Sequence, residues 1–375
     1  MARRVRGQVE NYVNINVFLC YSGCGIVMSI VLVGGITRLT ESGLSMVEWK
    51  PLMGAIPPLN EAEWLDVFEK YKAYPEYKQL NKDMSLSEFK YIFFWEYFHR
   101  NLGRFLGLYF AIPLVYFAGR RKISRPLGKR LALLFGLGAT QATIGWWMVS
   151  SGMEEERFEE AHAIPTVSPH RLATHLSLAL VIYSLMLWTT MDSLRRSPTA
   201  MPSSAASWKT TSPRLLRRLK GLSHLSAVLI GGTIVLGAYV AGTDGGYAYD
   251  TWPLMGHSFV PGDYWSSGSE GASFLTNATA HGTAAQFHHR WVAMAALAAA
   301  WSTSYTVLST PRTVIPPGKL RSLAVWLSIA ATAQVGLGIA TVLSVVALPV
   351  AVAHQGCAVV LLSVLLRFMH VLKHA

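Results

Sequence analysis

The chain has 375 residues, of which 14% are Asp, Glu, Lys or Arg and 51% are hydrophobic. Soluble domains carry about a quarter charged residues, so this composition excludes an ordinary water-soluble enzyme. Basic residues outnumber acidic ones by 33 to 21, and the placement of those charges decides whether the surplus means nucleic acid or topology.

In chain order, charge-free runs occur at 12–36, 131–153, 172–191, 221–243 and 291–311, and 322–366 has no charge at all. A bilayer core of about 30 Å is crossed by about 20 apolar residues in a helix. Each of the first five runs is one span and 322–366 holds two. The stretch from Tyr91 to Gly119, charged only in its first half, completes eight. Ser85-Leu86-Ser87-Glu88 reads as a capping box, which starts that helix near Leu86. The expected fold is an all-α integral membrane protein with eight transmembrane helices.

The charges sort by side. Arg3, Arg4 and Arg6 precede the first span; Arg120, Arg121, Lys122, Arg125, Lys129 and Arg130 separate the second from the third. Arg195, Arg196, Lys209, Arg214, Arg217, Arg218 and Lys220 fall between the fourth and fifth, and Arg312, Lys319 and Arg321 between the sixth and seventh. The opposite side carries Glu154, Glu155, Glu156, Glu159, Glu160, Asp244, Asp250, Asp263 and Glu270. This is the positive-inside pattern, with both termini in the cytoplasm or matrix, and it leaves nucleic acid without support. Cys20, Cys24 and Cys357 lie within spans, so no outer-loop pair is present for a disulfide, and Cys20 and Cys24 read as small packing residues. The first apolar run is too long for the core of a signal peptide, and no transit peptide is visible.

The sequence repeats itself. Gly34-Gly35-Ile36-Thr37-Arg38-Leu39-Thr40-Glu41-Ser42-Gly43, followed by Pro51-Leu52-Met53-Gly54, parallels Gly237-Ala238-Tyr239-Val240-Ala241-Gly242-Thr243-Asp244-Gly245-Gly246, followed by Pro253-Leu254-Met255-Gly256. Each half continues to a helix bearing His-Arg (His99-Arg100, His289-Arg290), a span with a glutamine (Gln141, Gln334) and a span with an early histidine (His175, His354). Four spans return the chain to its starting side, so two pseudo-symmetric four-helix bundles in one orientation are expected. Their limits are 12–191 and 221–375, joined by a basic inner linker at 192–220.

Helix rise places His99 about twenty residues, or roughly 30 Å, from the inner end of its span. His175, His289 and His354 stand at equivalent depth, toward the outer face. Ionisable groups inside a membrane are costly and mark function more often than not. Any one of these histidines can be explained by an interhelical hydrogen bond; four at one depth in two related pairs are harder to explain so. Imidazoles from facing helices form a common axial pair for haem, and no recurring third ligand favours zinc. Three residues before His99 stands Glu96, whereas three before His289 stands Gln286. A carboxylate relays protons or stabilises cations and an amide does not titrate, which points to a chemically active first half. The plainer alternative is that Glu96 only pairs with Arg100 one turn on. His288 points away from His289 and reads as exposed or lining. His162, His170, His257 and His281 read as solvated loop or span-edge groups, His224, His370 and His374 as inner-end residues, and Trp146, Trp147, Trp252 and Trp265 as interfacial anchors.

At Thr37-Arg38-Leu39-Thr40-Glu41-Ser42-Gly43-Leu44-Ser45, Glu96-x-x-His99-Arg100, His175, His289-Arg290 and His354 the chain resembles haem A synthase, over essentially Tyr12 to Leu372. The long first outer loop, with Trp64, Tyr71 and Tyr74 and no loop cysteine pair, resembles the mitochondrial and alphaproteobacterial branch. The resemblance implies an oxidoreductase that converts the C8 methyl of haem O to the formyl group of haem A for cytochrome oxidase, by two hydroxylations and loss of water. It implies that His289 and His354 ligate haem b, and that His99 and His175 flank the substrate haem O with Glu96 near the reacting methyl. Glu41 would be a second acid there. Arg100 and Arg290 would either pair with haem propionates or anchor helix ends. Two histidines on one iron leave no open position, so either a ligand leaves or the substrate haem is itself oxidised and water adds to a carbocation. The second course gives Glu96 a task.

The location implied is the mitochondrial inner membrane or an alphaproteobacterial plasma membrane. A ferredoxin-type electron donor suits the basic inner face; contact with a haem O synthase and a homo-oligomer are left open. The rival readings are a non-catalytic di-haem b cytochrome and a transporter. The parallel repeats and one-sided histidines disfavour the transporter.

Overall fold

The computed structural model describes residues 2–50, 53–154, 158, 164–196, 211–264, 277, 279, 281–315 and 318–374. Glu155, Glu156, Glu159, Glu160, Glu270, His162, Lys209 and Trp265 lie outside them. The described chain is helical: α1 Ala2–Leu39, α2 Glu61–Lys72, α3 Pro75–Gln79, α4 Leu86–Gly119, α5 Arg125–Ser150, α6 Pro169–Arg196, α7 Pro213–Gly242, α8 Gly282–Ser309, α9 Lys319–Leu343 and α10 Leu348–Lys373. Eight of these, all but α2 and α3, are long and apolar enough to cross a membrane. Large apolar side chains such as Ile112, Val115, Val228 and Ile329 stand exposed along them, an arrangement suited to lipid contact. The chain is an integral membrane protein.

The helix ends follow from local chemistry. Ser85 caps α4 through the expected reciprocal box: its side chain accepts from the Glu88 N–H while the Glu88 carboxylate accepts from the Ser85 N–H. Ser212 caps α7 by accepting from Leu215 N at 3.2 Å, and Pro213 fills the first turn, where no N–H is needed. The uncharged run 322–366 divides at a four-residue turn between α9 and α10, where Val345 and Val346 both take positive φ. The inner linker is shorter than the composition implies. α6 continues through Asp192 to Arg196, and α7 already begins at Pro213, because Arg and Lys are good helix formers and project from helix ends without breaking the ladder.

The chain falls into two compact units, residues 23–183 and residues 1–22 with 184–375. In the unit containing residues 184–375, α7 packs on α8, α8 on α9, α9 on α10 and α10 on α7, closing a four-helix ring. Ile230, Ala300, Leu327, Ala331 and Leu365 fill its middle, and small residues let the backbones approach. Leu219, Val307, Ile315 and Phe368 close the inner end. In the unit 23–183, α2 packs on α4 and α4 on α5. Phe68 and Tyr71 of α2 stack on Phe89 of α4, with Phe93 beside them. This aromatic cluster pins the first outer loop to the outer third of α4.

Candidate haem sites

The four span histidines share one construction. Each lies against a glycine on a neighbouring helix, so close that an added Cβ would stand 2.9 Å from His99 Cε1 at Gly34, 3.0 Å from His175 Cε1 at Gly145, 3.1 Å from His289 Cε1 at Gly237 and 2.9 Å from His354 Cε1 at Gly338. Real Cβ contacts are not that short, so each glycine makes the space its ring occupies. Two of these glycines belong to the motifs that revealed the repeat. The other two, Gly145 and Gly338, fall one turn after Gln141 and Gln334, and those glutamines reach the same histidines.

In the ring of α7 to α10 the imidazoles of His289 and His354 face each other, with centroids 6.3 Å apart and planes at 82°. His289 Nδ1 donates to Thr233 O at 2.9 Å, and His354 Nδ1 donates to Gln334 O at 3.1 Å. A carbonyl only accepts, so both rings carry their proton on Nδ1 and keep the Nε2 lone pair for another partner. This is the outer-shell pattern of metal-ligating histidine. Imidazoles bound at about 2 Å on opposite sides of one iron leave ring centroids about 6 Å apart, so this pair fits a haem. The Oε1 of Gln334 is buried beside it without a hydrogen bond.

In the unit 23–183 the surroundings of the histidines repeat this pattern. The backbone of Ile30 faces His99 as that of Thr233 faces His289, and the Gln141 amide nitrogen lies 3.2 Å from His175 Nδ1 and 3.3 Å from Nε2, as that of Gln334 lies 3.2 Å and 3.4 Å from His354. Glu96 is buried at 3% exposure and accepts hydrogen bonds from Ser45 Oγ and Met46 N, both at 2.7 Å, and from Arg100 Nη2 at 2.5 Å. The pairing of Glu96 with Arg100 that the sequence offered as the plainer alternative is therefore present. Ser45 and Met46 add a fixed hold on the other oxygen.

The same frame recurs at Gln286, with the loop-side hydrogen bond reversed in direction and the arginine bond kept. Its amide nitrogen donates to Tyr249 O at 2.9 Å, and its oxygen accepts from Arg290 Nη2 at 3.0 Å. The two arginines act as clamps on the following loops. Arg100 donates to Met46 O and Glu48 O over the ring of Trp49, and Arg290 to Thr251 O and Tyr249 O over the ring of Trp252. Each arginine thus holds the loop that precedes its helix.

Glu41 is not among the contacts of Glu96. It follows α1 with φ 51° and an exposed side chain, as Asp244 follows α7 with φ 52°. His288 is corrected: it is buried at 2% exposure, because Tyr264 folds over α8 and its hydroxyl lies 2.7 Å from His288 Nε2. His170, His224 and His257 are exposed and His281 is half-buried, as their positions imply. Cys20 and Cys24 are buried and are not joined in a disulfide. Sequence reasoning missed the grouping of His370 and His374 with Asp192. The three are distant in sequence, and no spacing announces them.

Two repeat-related histidine pairs, each let into its bundle by glycine, define a polytopic membrane protein that handles haem. Residues 17–366 match the model of the COX15-CtaA family of cytochrome oxidase assembly proteins. The chain is similar to the heme A synthase of Rhodospirillum centenum (43% identity over 93% of this chain and 86% of that one). It is also similar to the heme A synthase of Nitrosospira multiformis (39%, over 97% and 94%) and to heme A synthase COX15 of Bos taurus (41%, over 93% and 80%). The chain belongs to the COX15-CtaA family.

Proposed function

We propose that this protein is an inner-membrane haem A synthase, an oxidoreductase that converts the C8 methyl of haem O to the formyl group of haem A. The observation that carries the reading is the difference between two otherwise equivalent frames. One presents an anchored, facing imidazole pair with a neutral amide beside it. The other presents the equivalent histidines with a buried carboxylate three residues from His99.

In this reading His289 and His354 hold haem b, which supplies one-electron transfer when bound. His99 and His175 flank haem O, the substrate. Glu96 uses both oxygens as acceptors, which holds its carboxylate in place; in this reading its task beside the reacting methyl is to stabilise developing positive charge and receive a proton. Gly34 and Gly145 set where His99 and His175 stand, and Arg100 holds the loop 46–48 over Glu96. The N-terminal half, 12–191, is then the substrate bundle and 221–375 the haem b bundle. A ferredoxin-type donor would dock on the basic inner face.

The test is conversion. Purified protein in lipid or detergent, given haem O, a ferredoxin reducing system and dioxygen as the terminal oxidant, should yield haem A on pigment extraction, and no haem A when dioxygen is excluded. A protein that returns only haem b and unchanged haem O is a cytochrome and not a synthase.

A further inference from the structure

Away from the haem sites, the inner ends of α6 and α10 bring together Asp192, His370 and His374. His370 Nε2 lies 3.0 Å from Asp192 Oδ1, His374 Nε2 lies 3.9 Å from the same oxygen, and all three donor atoms fall within 4.8 Å of one another. Asp192 and His370 are buried, at 8% and 4% exposure. Trp188 packs edge-on to His370 at 5.2 Å, and the His374 ring stands 4.9 Å from that of His370. The His370–Asp192 contact is by itself an ordinary hydrogen bond. His374 is what that contact leaves unexplained: its Nε2 is buried, directed at the carboxylate, and without a hydrogen bond.

We propose that Asp192, His370 and His374 form a binding site for a divalent transition metal of the zinc class at the inner face. Ligands at about 2.0–2.1 Å around a tetrahedral ion stand about 3.3 Å apart, and the two measured separations bracket that value. Two imidazoles and one carboxylate form a donor set that zinc accepts, with a fourth position open to water. Calcium and magnesium are disfavoured because they take all-oxygen shells. Haem does not fit here: its axial donors oppose each other across a plane, whereas these three converge on one point. A bound ion would tie the end of α6 to the last turn of the chain.

The experiment uses the full chain, purified without a histidine tag, treated with chelator and titrated with Zn(II) against a chromophoric chelator. Zinc and iron are counted separately by mass spectrometry, and the Soret band reports the integrity of the bundles. One zinc per chain is expected in addition to iron. His374→Ala, which leaves the His370–Asp192 contact in place, and Asp192→Asn, which keeps its shape, should each weaken zinc binding about tenfold or more with an unchanged Soret band. Two results overturn the proposal: failure of the wild-type chain to retain zinc while showing its Soret band, or equal zinc affinity in wild type and both variants. If a variant loses its Soret band, the wild-type zinc count decides.

Discussion

Gly338 and His354 stand so close that a methyl group on the glycine would lie 2.9 Å from the imidazole Cε1. The ring cannot retreat freely, because its Nδ1 is held by Gln334 O at 3.1 Å. Gly338→Ala should therefore displace the ring and break that bond, and the haem b bound per chain should fall several-fold. Overpacking of this kind costs about 1–3 kcal/mol, enough to lower occupancy without abolishing the fold. Quantitative pyridine haemochrome spectra of wild type and variant check it.

Glu96 accepts three hydrogen bonds from groups that are themselves anchored, so Glu96→Gln keeps its shape and loses its charge. Haem O oxidation should fall by about 10²-fold or more while the resident haem b stays in place, since a positioned acid–base group contributes on that scale. Product formation and the Soret band of the same sample separate the two effects. Loss of both together would make Glu96 a structural residue only.

Arg100 and Arg290 are loop clamps, and each has a repeat-related partner one turn back, Glu96 or Gln286. Removing Arg100 leaves a buried carboxylate without its charge partner, which costs about 3–5 kcal/mol, whereas removing Arg290 strands only neutral groups. Arg100→Ala should lower the melting temperature more than Arg290→Ala. Scanning both variants in the same detergent tests the ordering.

Glu76 in α3 is buried in the first outer loop, where it accepts from Tyr71 Oη at 2.8 Å. Desolvation lifts its carboxyl from the ordinary 4.5 to about 8, against the Tyr71 hydrogen bond that pulls it down. The folded protein thus holds this proton more tightly than the unfolded chain does. The associated stability is full below pH 4.5 and is lost as pH rises through about 8. Melting temperature should decline across that window, and Glu76→Gln should flatten the decline. A parallel slope in the variant would assign the pH dependence to other groups.

The parts of this architecture that are written in local patterns were legible. Charge-free runs gave the spans, the Ser85 box gave the start of α4, and the spacing of Gly34 and Gly237 to their following loops gave the repeat. The histidine pairs followed because a membrane makes imidazole conspicuous. What escaped the sequence depends on contacts between distant segments. The Tyr264 hydroxyl that buries His288 comes from a loop 24 residues away. Asp192 meets His370 across 178 residues, and the basic stretch that read as linker is helical at both ends. Gly145 and Gly338 are set against the rings of His175 and His354, contacts that no local pattern records.

The most direct test of the central claim, that one bundle holds haem b and the other oxidises haem O, is the pigment composition of His99→Ala and His354→Ala expressed with a supply of haem O. The account predicts that His99→Ala retains haem b and makes no haem A, and that His354→Ala loses its haem b. A His99→Ala protein without haem b, beside a His354→Ala protein that keeps it, would contradict the assignment of the two halves.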